Sequence, residues 1–175
     1  MRRMSDWISF VGLRKLNQKL VVAVVYVCGM MMNSLDSTMV TVAFPTLGRE
    51  FDRTPEQMQG ILIGYLVSMA MFIPASGWLG DRFGTKRIFL MALGVFTIGS
   101  LLSGMAQSYE MLVGTRIIQG AGGGLLIPVG MAMLYRTYPP EERVRIARIL
   151  MFALVIGPAS GPLVGGFLVE KFSWH

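Results

Sequence analysis

Apolar residues along this chain collect into five long stretches separated by short polar intervals. They run from about Leu20 to Phe44, Gln57 to Leu79, Ile88 to Ala106, Met111 to Leu134 and Val144 to Val169. A bilayer core of about 30 Å takes about 20 helical residues to cross, and a helix satisfies its own backbone amides there. The pattern therefore predicts an all-α fold: a polytopic transmembrane helical bundle of five helices over residues 20–175, preceded by a segment at 1–19. In that segment Trp7, Ile8, Phe10, Val11 and Leu13 stand among charges, which suits either a short helix on the inner leaflet or a disordered basic lead. A cleaved signal peptide is not expected, because the first stretch is too long, carries Asp36 and has no small-residue cleavage signature before Pro45.

Composition sharpens this picture. Hydrophobic residues make up 53% of the chain and charged residues 15%, with a mean hydropathy of +0.57; a soluble domain carries about a quarter charged residues. The net charge of +6 would suit nucleic acid, but most Lys and Arg flank apolar blocks, where lipid headgroups are the nearer partner. A lipid bilayer and no nucleic acid is the expectation. Cys28 is the single cysteine and His175 the single histidine, so a disulfide, a zinc site or a histidine-based triad has no material. No enzyme activity, metal or bound cofactor is expected.

Lys and Arg accumulate on the cytoplasmic side of membrane proteins. Arg2, Arg3, Arg14, Lys15 and Lys19 precede the first stretch, Arg82, Lys86 and Arg87 separate the second from the third, and Arg136, Arg143, Arg145 and Arg148 lie between the fourth and fifth. The opposite side holds Arg49, Arg53 and Lys171. The expected placement is a multi-pass protein of the cytoplasmic membrane with a cytoplasmic N-terminus.

Asp36 and Arg116 lie inside apolar stretches, where an ionised side chain costs about 2.5–3.5 kcal/mol on insertion scales. At about 1.5 Å per residue both sit roughly 8–12 Å below the outer surface, so neighbouring helices would let them pair. Gly29, Asn33, Asp36 and Ser37 form a polar stripe on the first helix, and Arg116, Gly120, Gly124 and Pro128 share a face of the fourth. Two readings stand: a static ion pair joining two helices, and a group that handles protons or substrate polarity.

The interval Gly77-Trp78-Leu79-Gly80-Asp81-Arg82-Phe83-Gly84-Thr85-Lys86-Arg87 is short and basic. Gly84 suits the unusual dihedrals of a tight turn, Asp81 is placed to cap amides or face a helix N-terminus, and Arg82, Lys86 and Arg87 can hold lipid phosphates. In the fifth stretch Gly157, Gly161 and Gly165 share a face that permits close helix contact. Pro158 and Pro162 each remove a backbone donor and bend the helix, and Gly166 completes a terminal Gly-Gly.

Together these segments resemble the major facilitator superfamily, and within it the fourteen-span drug:proton antiporters of the EmrB/QacA-like branch. Leu35 to Pro45 is similar to that branch's LDxTIVNVALP signature, departing at Met39, Thr41 and Phe44. Gly77 to Arg87 is similar to GxLaDrxGrkr, with Gly80 for the usual alanine and Thr85 at the first basic position. Arg116-Ile117-Ile118-Gln119-Gly120-Ala121-Gly122 matches RxxQGxG, and Gly157 to Gly166 resembles the antiporter motif gxxxGPxxGG, with Arg148 where a glycine often precedes it.

The resemblance implies that Asp36 carries protons or recognises cations, and that Arg116, with Asn33 and Gln119, belongs to the coupling and substrate region. It implies a conformational latch at Gly77, Gly80, Asp81, Arg82, Gly84, Lys86 and Arg87. It further implies a bent fifth helix at the interface between halves, shaped by Gly157, Pro158, Gly161, Pro162, Gly165 and Gly166. The implied function is proton-coupled efflux of small amphipathic or drug-like molecules, with protons as the coupling ion. The implied fold has six helices in its N-terminal half, built from inverted three-helix repeats, of which five are expected here. The chain is accordingly expected to be the front part of a longer transporter whose missing C-terminal helices are its partners. The alternatives are a transporter of other substrate and coupling on the same fold, and a non-transporting fragment that acts through helix association. The fifteen methionines suit either an adaptable substrate pocket or lipid-facing and packed positions.

Overall fold

A computed structural model describes residues 18–171 of the chain. Five helices follow one another: α1 (Gln18–Glu50), α2 (Pro55–Phe83), α3 (Thr85–Gly104), α4 (Tyr109–Thr137) and α5 (Pro140–Lys171). All five are long and apolar enough to cross a membrane. They outrun the apolar stretches because local capping, rather than hydropathy, ends a helix. At α2 the Thr54 side chain accepts from Gln57 N while the Gln57 side chain accepts from Thr54 N, and Pro55 takes the first helical position. Ser108 caps α4 through Met111 N. α2 passes into α3 through one residue, Gly84, at φ +89°. Only glycine adopts that value without strain.

Helix α4 lies at the centre. It packs most extensively on α2 and α3 and less on α1, while α5 packs on α1. Lipid offers no hydrophobic drive for helix association, so close backbone approach must supply it, and the glycines of α4 make that approach on three sides. A methyl at Gly120 would meet the Tyr65 carbonyl and one at Gly124 the Met69 carbonyl, both on α2. A methyl at Gly122 would lie 2.6 Å from Phe96 N on α3, and one at Gly99 of α3 would lie 2.8 Å from the Gln119 Cα. Gly130 receives the Tyr26 ring of α1, whose hydroxyl donates to Ile127 O at 3.2 Å.

Two apolar clusters result. One gathers Tyr26, Tyr65, Phe89, Phe96, Leu126 and Leu134, and the other gathers Leu47, Met58, Ile61, Ala106 and Leu112 toward the opposite end. A polar layer separates them.

Each end is closed by a cation, an acid and a tyrosine. At one end Arg53 Nη2 meets Glu110 Oε1 at 2.9 Å and the Arg53 guanidinium carbon lies 5.3 Å from the Tyr109 ring centre, while Tyr109 Oη donates to Gln57 O at 2.6 Å. At the other Lys19 Nζ meets Glu142 Oε1 at 2.7 Å and lies 5.7 Å from the Tyr138 ring centre, while Tyr138 Oη donates to Lys19 O at 2.6 Å. Burial and then Glu142 push the Tyr138 hydroxyl above the usual phenol range, against Lys19, so it stays a donor at neutral pH. Exposed ion pairs contribute about 0–1 kcal/mol, so these clasps orient helix ends more than they stabilise them.

The α4 contacts make a prediction. Gly124→Ala drives a methyl into the Met69 carbonyl and should destabilise the bundle by about 1–3 kcal/mol. Gly94→Ala points into open space and should change stability by less than about 0.5 kcal/mol. Unfolding titrations of both variants in mixed micelles check this; equal midpoints would count against close packing at Gly124.

Candidate functional site

The polar layer is built around Arg116 of α4. Its Nη1 donates to Asp36 Oδ2 on α1 at 2.5 Å and to Gln119 Oε1, one turn along α4, at 2.6 Å. The guanidinium carbon stands 5.6 Å from the centre of the Tyr65 ring on α2. Three helices thus converge on one cation, and the Arg116 side chain is 4% exposed against 17% for Asp36. α1 continues through Pro45 to Glu50 beyond Asp36, while α4 begins at Tyr109, so α1 overhangs the start of α4.

Asn33, one turn from Asp36, is also buried. A methyl at Gly123 would lie 2.7 Å from Asn33 Nδ2 and 3.0 Å from Tyr65 Oη, so this glycine leaves room for both. Asn33 Nδ2, Tyr65 Oη and Gln119 Nε2 are buried and make no hydrogen bond among the described residues. Unsatisfied buried polar atoms cost about 1–3 kcal/mol each. All three stand beside the ion pair. Around it, Ser68 Oγ of α2 donates to Ile117 O at 2.6 Å, and Ser103 of α3 meets Thr115 of α4 at 2.9 Å. These bonds tie α4 to both neighbours at the level of the pair.

The expected polar stripe on α1 divides. Asn33 and Asp36 enter the polar layer, a methyl at Gly29 would lie 3.6 Å from Phe89 of α3, and Ser37 donates to its own helix at Asn33 O. On α4, Gly120 and Gly124 serve α2 while Arg116 reaches α1. Tyr65 and Ser68 were not singled out in the sequence. Their signal is a pair of polar groups three residues apart in an apolar helix.

At the α2–α3 junction Asp81 Oδ1 accepts from Arg136 Nη2 of α4 at 2.7 Å. Of the two roles expected for Asp81, amide capping is not found: Gly84 starts α3 with no side-chain cap, and the Asp81 carboxylate is paired with Arg136 instead. Arg82 stacks near Trp78 and Phe83, at 5.4 and 5.8 Å from their centres, while Lys86 and Arg87 are exposed. Gly77 faces open space, and a methyl at Gly80 would lie 3.5 Å from Thr85 Cγ2.

On α5 the glycine face meets α1. Gly157 lies against Ser34, Gly161 against Thr38 and Gly165 against Met39. Pro158 and Pro162 point away and are exposed, and Gly166 has nothing against it. Among the described residues no group of His, Cys, Asp and Glu could hold a metal ion.

Residues 26–175 match the sequence profile of the Major Facilitator Superfamily. The chain belongs to the major facilitator superfamily. It is 40% identical over 147 residues to a protein of Yersinia enterocolitica named "Putative multidrug resistance protein MdtD", covering 84% of this chain and 31% of that one. Proteins of the same name from Pectobacterium carotovorum and Serratia proteamaculans are 38% and 37% identical over 84% of this chain, and 32% and 31% of their own lengths. The chain therefore spans about a third of the relatives it matches. Proteins of this superfamily are carriers, so the polar layer is not an enzyme active site.

Removing one partner of a buried ion pair costs about 3–5 kcal/mol, because the other is left uncompensated. Arg116→Met should destabilise the bundle by about that amount, and adding Asp36→Leu should recover most of it. The pair of unfolding titrations checks it, and a double variant no better than the single one would contradict it.

Proposed function

We propose that this chain is the N-terminal part of a proton-coupled exporter of small amphipathic or drug-like molecules, of the fourteen-span branch of its superfamily. It sits in the cytoplasmic membrane with the N-terminus cytoplasmic, and the remaining helices of the transporter are its partners. The observation that carries this reading is the enclosed Asp36–Arg116 pair with Gln119 as a second acceptor. Asp36 is the member that can take a proton, since a guanidinium does not lose one in a protein. Protonation of Asp36 removes the charge from the α1–α4 link, while the Gln119 carbonyl and the Tyr65 face still hold Arg116. Proton uptake then weakens the α1–α4 contact and leaves the Arg116 charge with neutral partners only, which favours a second arrangement of the helices, as a carrier that alternates between two arrangements requires. Multidrug resistance in the names of the relatives supports a broad range of small molecules.

The Asp81–Arg136 pair lies at the end expected to be cytoplasmic and serves in this reading as part of a latch. Its two residues come from α2 and α4, so opening the latch moves a helix that touches the coupling pair. The packing of α2 on α4 and of α5 on α1 is the exchange that inverted three-helix repeats would produce.

Asp36→Asn, in the protein produced from its own gene and placed in proteoliposomes, should abolish proton-driven export while leaving the protein folded. Unchanged proton-driven export would sink the role given to Asp36. Arg116→Ala should lose coupling as well; if it only lowers the yield of folded protein, the pair is static. Orientation is tested separately in a background with every native cysteine, Cys28 included, replaced by Ser. Cysteine at Lys86 should react with an impermeant maleimide from the cytoplasmic face and cysteine at Thr54 from the outside, and the reverse pattern would invert the topology.

A further inference from the structure

Beneath the Lys19–Glu142–Tyr138 clasp, α1, α4 and α5 border an open cleft of about 230 Å³. Met30, Met131, Ile146, Leu150, Met151 and Leu154 line it, and Tyr135, Tyr138 and Arg143 form its polar edge. An apolar cavity of about 150 Å³ accepts benzene, so this one suits a fused pair of aromatic rings or a short alkyl chain. Three flexible thioethers let such a wall adjust to different shapes.

The edge adds a charge. Arg143 Nε donates to Tyr138 O at 3.2 Å and Nη2 to Tyr135 O at 2.9 Å, and the guanidinium carbon stands 5.2 Å from the centre of the Tyr135 ring. Among the described residues no carboxylate pairs with it, and the adjacent Glu142 is engaged by Lys19. Two carbonyls orient the guanidinium but leave its charge uncancelled and further N–H groups unused. An apolar cleft with such an edge discriminates by sign: an anionic end finds a charge-assisted donor, and a cationic end of the same size meets repulsion.

We propose that this cleft binds the apolar end of a soluble anionic amphiphile, with its carboxylate or sulfonate held by Arg143. The occupant is distinct from the proton carried by Asp36. Its standing as transported cargo rests on the exporter reading, whereas the binding itself does not.

The test uses the protein produced from its own gene, in zwitterionic nanodiscs, titrated calorimetrically with 2-naphthoate and with (2-naphthylmethyl)trimethylammonium against empty discs. Naphthoate should bind saturably and about tenfold or more tighter than the ammonium compound, the range of one charge-assisted hydrogen bond. Arg143→Gln should erase that preference, Arg143→Lys should keep most of it, and Met151→Trp should block binding by filling the cleft. Asp36→Asn should bind naphthoate like the unaltered protein. Equal affinity for the two compounds, a preference that survives Arg143→Gln, or no saturable binding above empty discs would each overturn the proposal. So would loss of naphthoate binding in anionic discs at unchanged free probe concentration, which would make lipid the occupant. If Asp36→Asn still exports while Arg143 governs binding, the coupling reading falls and the cleft stands.

Discussion

A guanidinium inside a helix bundle cannot be neutralised by losing its proton, so Arg116 must be paired wherever this chain is folded. That requirement organises the middle of the molecule. Asp36 supplies the opposite charge from α1, Gln119 supplies a carbonyl from the same helix, and Tyr65 supplies a ring face from α2. None of these groups reaches Arg116 unless α1 and α2 both lie against α4. The cost of burying one charge thus fixes the positions of three helices.

Close approach is the second half of the same constraint. Apolar helices in lipid have little reason to associate unless their backbones come near. Gly120 and Gly124 bring α2 up to α4, Gly122 and Gly99 bring α3, and Gly157, Gly161 and Gly165 bring α5 onto α1. Ser68 and Thr115 then find partners on neighbouring helices at the level of the ion pair. The clasps at Arg53–Glu110–Tyr109 and Lys19–Glu142–Tyr138 align the helix ends. The polar layer is held from both sides by the apolar clusters.

The two charged features of the molecule differ in how much cost they carry. The Asp36–Arg116 pair is enclosed, so its state matters to stability and to any movement of α1. The Asp81–Arg136 pair is largely exposed and contributes little to stability. Arg143 belongs to neither pair and donates instead to the Tyr135 and Tyr138 carbonyls at the turn from α4 to α5.

Five apolar helices, the rarity of Asp36 and Arg116 within them, and membership of a carrier family could all be read from the order of residues. Hydropathy and the cost of an intramembrane charge act on each segment by itself and need no knowledge of neighbours. Motifs such as that from Arg116 to Gly122 are likewise contiguous. Partners were another matter. That Tyr65 faces Arg116, that Arg136 rather than a helix end takes Asp81, and that the glycines of α5 turn to α1 depend on the rotation of each helix about its axis. So does the cleft beside Arg143, which needs three helices at once. Rotation is set by which backbones can approach and which charges must be met across the bundle, and those are properties of the packed structure.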